Sequence, residues 1–394
     1  MIARDRVVLL SVSAAVLAFA AVLVWQEQRP GYRRYQAEFR SKVAQALGEE
    51  RAAKAPDGPQ QIWLASLNGT VDRCPSCHLG VGWKDLKDLP QPFAPHPLAP
   101  LAHHPVEKFG CTACHGGQGA ATQLPEAHGW VEHWEDPLLD RTLAAEYGAK
   151  DRWAFLQTRC NGCHRYDQHI EGAELVNQGK RLVDAKGCRA CHAINGRGGS
   201  VGPDLTRVGD KPAEQYDFSR LGALRSLFAW HVGHLQNPKS FSPTTVMPEF
   251  GFATGEAQSI ALVLMSWRDQ RWPAEYLPGA RLKDVPSPEQ AERERLMREG
   301  EGRFFVEKTC FVCHDVTALG VESATKIGPD LSLAVDDVPR RFGRPLEDFL
   351  KAPSGTMEVV LARQITLTEP ERAEAARLLH LAFERHQAKA KPEK

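Results

Sequence analysis

Nothing constrains the fold of this chain more than its cysteines. Cys188-Arg189-Ala190-Cys191-His192 reads Cys-x-x-Cys-His, and the pattern recurs at Cys74/Cys77/His78, Cys111/Cys114/His115, Cys160/Cys163/His164 and Cys310/Cys313/His314. The chain has ten cysteines, and the five copies use every one. A single Cys-x-x-Cys is commonly a zinc or redox pair. Completed by histidine five times, with no thiol left for a disulfide or a nucleophile, it is the attachment signature of haem c: the thiols become thioethers and the histidine an axial iron ligand. Five covalently attached haem c groups are expected, with His78, His115, His164, His192 and His314 on their irons. In each copy both cysteines, Cys111 and Cys114 as much as Cys188 and Cys191, are expected to anchor one haem.

A chain of 394 residues exceeds what one hydrophobic core of about 250 to 300 residues supports, so several domains are expected. The 49 basic and 49 acidic residues balance, which gives no net field for nucleic acid. The 27 prolines and 32 glycines predict much irregular backbone between helices, with the haems replacing part of an apolar core. The expected fold is mainly α with much irregular structure.

Haem c is attached outside the bacterial cytoplasm, so the motifs should lie in the periplasm. Residues 7–25 carry no charge and are long enough to cross a hydrocarbon core of about 30 Å. They read as an uncleaved, single-pass anchor in the cytoplasmic (inner) membrane. A cleavable signal peptide is the rival reading, because Ala18-Phe19-Ala20 fits a small-x-small site. Arg4 and Arg6 before the span and Arg29, Arg33 and Arg34 after it give no orientation, which rests on the haems. After it, Tyr35, Phe39, Val43 and Leu47 form one apolar stripe on a helix, suited to the chain's own haem domain or to a partner, and Pro56, Gly58 and Pro59 end that segment.

The expected organisation is an anchor (1–30), a juxtamembrane helix and linker (31–61), a triheme region (62–170) and two helical modules (171–283 and 284–394). The triheme region contains no methionine but has six further histidines, His96, His103, His104, His128, His133 and His169, which points to bis-histidine ligation. His96, His104 and His128 are the favoured sixth ligands, then His133, then His103; His169 sits too close to His164. The pairing of ligand with haem is open.

The helical pattern over 173–186 runs into Cys188, followed by Gly202-Pro203-Asp204-Leu205 and by Thr245-Val246-Met247-Pro248. This order strongly resembles a class I cytochrome c domain. The resemblance implies that the Pro203 carbonyl orients His192 and that Met247 is the sixth ligand. A second module repeats the order after a Pro-rich linker at 285–289: a helix over 290–307, Cys310, Gly328-Pro329-Asp330-Leu331, Met357 and a closing helix from 369 to about 386. Met357 is expected as its sixth ligand, although Glu358 stands where the family has proline; His380 and His386 are the competitors.

The strings VDRCPSCHLGV, HPVEKFGCTACHGGQG and RCNGCH, followed by GPDL and MPEF, resemble membrane-anchored multihaem cytochromes of respiratory quinol-oxidising, cytochrome bc-like complexes, over residues 32–260. The resemblance implies a subunit working beside a membrane cytochrome b or another quinol-oxidising subunit. Bis-histidine haem generally lies at lower potential than His/Met haem, so electrons should run from the membrane towards a periplasmic acceptor, a cytochrome c or a terminal reductase or oxidase. No independent catalysis is expected. The alternatives are direct quinol dehydrogenation and a peroxidase-like multihaem enzyme with its open iron at Met357. No nucleotide, flavin or molybdenum motif appears in a supporting context.

Overall fold

The computed structural model describes residues 3–27, 30–67, 69–129, 138, 149, 153–199, 201–223, 225–245, 247–269, 272–278, 285–323, 328–363 and 365–390. Helices dominate these residues, and the named strands form two short antiparallel pairs. The chain divides into two compact units, 1–143 with 272–276 and the remainder.

In the first unit, α1 (Ala3–Glu27) contains a span, Arg4–Gln26, long and apolar enough to cross a membrane; a signal sequence has the same form. On α2 (Tyr32–Leu47), Phe39 and Val43 are completely buried against Leu79, Leu86 and Phe93, with Tyr35 and Trp83 at the margin. The chain's own residues cover this stripe, while Leu47 at its end stays exposed. Gln36 is buried among them. Its Nε2 donates to Gly58 O at 2.7 Å and to Ser76 O at 3.4 Å, and its Oε1 accepts from Gly58 N at 3.2 Å. The segment that breaks the helix is thereby folded back along it. β1 (Ile62–Leu64) and β2 (Thr70–Asp72) pair antiparallel, with Ile62 opposite Asp72, and deliver the chain to Cys74.

The second unit begins with α3 (Leu156–Cys163), α4 (Glu174–Ala185), α5 (Leu227–Gln236) and α6 (Thr254–Ser266). α6 buries Ala257, Ile260, Ala261, Leu262 and Val263. α4 crosses it at Gly179, where a Cβ would come 2.2 Å from Ser259 O. Only glycine allows that approach. Two polar anchors add α3 to the pair. Gln157 Oε1 accepts from Leu175 N and Val176 N at 2.9 and 3.1 Å, satisfying donors that the first turn of α4 leaves without partners. Asn161, inside the third attachment motif, donates to Ser266 Oγ at 2.6 Å. The Cys160 motif, grouped by sequence with the first two in 62–170, thus lies in the second unit.

The rest of this unit comprises α7 (Pro288–Glu299), α8 (Arg303–Glu307), α9 (Ala334–Phe342), α10 (Leu346–Lys351), α11 (Thr356–Arg363) and α12 (Glu369–Ala390). The expected helix over 290–307 is two helices. Gly300 leaves the helix with ψ 171° while its N–H caps Leu296 O at 2.8 Å. At Gly302 a Cβ would meet Val321 at 2.3 Å, so the chain there sits flush on the core. That core gathers Phe305, Phe311, Val316, Val321, Phe349 and Leu378, and Ala190 and Cys191 of the preceding module pack against it.

Candidate haem centres

All ten cysteines are half-buried and none is paired in a disulfide. The five motifs share one backbone turn, in which the histidine N–H donates to the carbonyl of the first cysteine. The distances are 2.9 Å at His78, His115 and His164, 3.0 Å at His192 and 3.1 Å at His314. The backbone around the second cysteine differs between motifs. Cys77, Cys191 and Cys313 each follow a tight three-residue turn and cap it. Cys114 instead lies inside a short helical turn, Thr112–His115, with its N–H 3.2 Å from Cys111 O. Its partner Cys111 approaches Cys74 and Asp72, a cluster that does not include Cys114. The physical reason is Gly116, whose φ of 69° ends the turn only after His115.

In the first unit, the ring of His78 faces that of His128 with centroids 6.2 Å apart and planes inclined by 33°. His115 faces His96 at 6.0 Å and 87°. An imidazole nitrogen binds a metal at about 2 Å, so two rings on opposite sides of one iron have centroids about 6 Å apart. Both spacings match. Burial, then the neighbouring His96 and His78, push the His115 pKa down to about 4; burial, then His128, lower that of His78. Both therefore hold the neutral form that binds metal.

Among the favoured distal histidines, His128 and His96 thus face motif histidines. His104 instead packs edge-on against Phe109 at 5.1 Å, with Nδ1 3.0 Å from Pro100 O. His103 is exposed, and His133 lies outside the described residues.

At the third motif, His164 Nδ1 lies 2.6 Å from Asp167 Oδ2, an arrangement that leaves Nε2 for a metal and makes the ring a stronger ligand. Lys180 Nζ donates to His164 O at 2.9 Å and Asp167 O at 2.8 Å, which fixes the loop joining them.

The last two motifs share one geometry. His192 Nδ1 lies 2.8 Å from Pro203 O, and His314 Nδ1 lies 2.8 Å from Pro329 O. The glycine before each proline makes room for the ring. A Cβ at Gly202 would come within 2.4 Å of His192, and one at Gly328 within 2.3 Å of His314. Asp204 and Asp330 then close the turn by accepting from Thr206 N and Ser332 N at 2.7 and 2.9 Å. The residue entering each motif is left-handed, Gly187 at φ 64° and Thr309 at φ 59°. Met247 follows in a loop, half-buried, with its N–H on Thr245 Oγ1 at 3.2 Å. Paired thiols, a fixed imidazole and a cradle that a Cβ would fill form a donor set that fits haem c.

Residues 176–264 are a cytochrome c domain. The match is to the family model described as cytochrome c; no curated protein and no solved structure matches the chain. A cytochrome c domain holds haem c through its thioethers and transfers electrons, and here it contains Cys188, Cys191, His192 and Met247.

Outside the cytochrome c domain, Met357 packs at the edge of the core that also holds Cys310 and Cys313. His380 Nε2 is 2.7 Å from Glu347 Oε1, on the exposed side of α12, and His386 lies further along the same helix.

Three groups escaped the sequence reading. Asp72 and Asp167 stand next to motifs, but acidic residues there carry no signature. On α5, His231 is buried with Nε2 3.5 Å from Tyr216 Oη, and His234 stacks on Trp230 at 4.7 Å and 10°. Burial, then His192, push the His234 pKa down to about 4. The cytochrome c domain thus has a second, half-buried imidazole that interacts electrostatically with its motif histidine.

Proposed function

We propose that the chain is a pentahaem c-type cytochrome that carries electrons from a quinol-oxidising membrane partner, such as a cytochrome b, to a periplasmic acceptor, with no catalysis of its own. The observation that carries this reading is the pair of facing imidazoles, His78 with His128 and His115 with His96. An iron closed on both faces by nitrogen suits electron transfer rather than bond chemistry. When bound, haem c supplies one-electron chemistry, and the chain supplies position and tuning.

Each site contributes separately. His164, backed by a carboxylate, belongs with the low-potential group, whereas His192 and His314, backed by neutral carbonyls and completed by Met247 and Met357, belong with the higher one. The repeated glycine-proline cradle supports reading 284–394 as a second class I module. α1 supports a single membrane anchor, and the placing of the haem domains in the periplasm rests on haem c attachment.

One contact favours direct quinol oxidation as the second reading. Cys74 is distant from the span in sequence, yet Gln36 holds Ser76 of the first motif. Eight residues separate Gln36 from the end of α1, and half of them are helical, so the first attachment loop lies within about 30 Å of the end of α1.

Electron paramagnetic resonance of the oxidised, membrane-extracted protein during a potentiometric titration tests the assignment. Nearly parallel imidazoles at His78/His128 should give a rhombic low-spin signal, and perpendicular ones at His96/His115 a strongly anisotropic signal with one large g value. Substituting His96 by alanine should remove only the second. Five haems with no high-spin species and no reaction with peroxide support the conduit, whereas a peroxide-reactive iron would overturn it. Reduction by a water-soluble quinol without any partner would give the second reading the lead.

A further inference from the structure

We propose that Asp72 is a positioning residue that fastens the first two haem attachment sites into one close pair, with the thioethers at Cys74 and Cys111 side by side. This inference rests on the pentahaem reading. Asp72 ends β2 and is completely buried. Its Oδ2 accepts from Cys111 N at 2.7 Å, Thr112 N at 2.8 Å and Thr112 Oγ1 at 3.1 Å, and its Oδ1 accepts from Cys74 N at 3.4 Å. One carboxylate therefore holds the first residue of both motifs, 37 positions apart in sequence. A carboxylate oxygen and the two sulfurs all lie within 4.8 Å of one another.

Such a trio elsewhere would suggest a metal ion. Here both thiols are the first cysteines of complete attachment motifs, and as thioethers they carry no charge to offer one. The hairpin reinforces the clamp. Arg73 N donates to Gly119 O at 2.7 Å and Arg73 Nη1 to Ala120 O at 2.7 Å, so the chain leaving the second motif is tied to the same strand. At Gly110, φ +67°, a Cβ would come 2.9 Å from Leu64 and 3.0 Å from Asp72 Oδ2; at Gly119 it would come 3.0 Å from Val71 O. The second motif has no slack against the hairpin.

The clamp also carries charge. Burial raises the Asp72 pKa, and the backbone N–H groups of Thr112, Cys111 and Cys74, which remain donors once the thiols are thioethers, lower it. An ionised carboxylate at low dielectric favours the ferric form of both neighbours.

The test uses full-length holoprotein carrying Asp72→Asn or Asp72→Ala. Asp72→Asn keeps the shape and an acceptor towards Cys111 and Thr112, so the test does not depend on the alanine variant folding. It should keep all five haems by mass and raise the potentials of two haems together, leaving the other three unmoved. Asp72→Ala should also weaken the magnetic interaction between those two haems in electron paramagnetic resonance. Unchanged potentials and unchanged coupling in a five-haem protein would overturn the clamp alone. A wild-type mass short of five haems, with Cys74 or Cys111 unmodified, would overturn the clamp and the pentahaem reading together.

Discussion

Behind three of the motif histidines, His164, His192 and His314, stand different acceptors, and for a bound haem the difference would have a sign. A carboxylate behind His164 makes the imidazole a stronger donor to ferric iron than the carbonyls behind His192 and His314 do. Asp167→Asn should raise the potential of one haem by about 50 mV, since 59 mV corresponds to a tenfold change in a one-electron couple. Spectropotentiometry checks this: one component moves while five haems remain, and no movement removes Asp167 as a tuning group. The motifs stood out because their spacing repeats five times, and His96 and His128 because six further histidines crowd a stretch without methionine. The helical setting of Cys114 did not, because spacing alone does not state where a turn ends. Asp72 and Asp167 did not either, because a buried acceptor is defined by what folds against it.

Helices follow the same division. The apolar spacing over 173–186 matches α4 within one residue at either end, because a 3.6-residue period states its own packing face. The expected helix over 290–307 fails at Gly300, where flush packing at Gly302 decides the backbone. α5 carries the acid sensitivity of its domain. Burial, then the charges of His234 and Lys211, push the His231 pKa down to about 4 from 6.5. Between those values the unfolded chain binds a proton that the folded one does not, so stability falls as pH drops from 6.5 towards 4. Urea unfolding at pH 7 and pH 4.5 should show a wild-type loss about 2 kcal/mol larger than that of His231→Gln. Equal losses would mean that His231 is protonated in the fold.

At the scale of the whole molecule, the second unit ties two attachment modules together. Arg197, in the short strand Arg197–Gly198, meets Glu294 on α7 through two parallel hydrogen bonds, both side chains about four-fifths buried. A double-mutant cycle with Arg197→Met and Glu294→Gln should give a coupling of about 1 to 3 kcal/mol in unfolding experiments; a value near zero would leave the pairing to Ala190 and Cys191 alone. The first unit has its own bond between parts that look separable in sequence. Because Phe39 and Val43 complete the apolar cluster of Leu79, Leu86 and Phe93, α2 is a wall of the domain that follows it. Any shortened version that omits α1 must be cut upstream of Tyr32. A cut at the domain boundary suggested by the sequence would yield a fragment that exposes this cluster and precipitates.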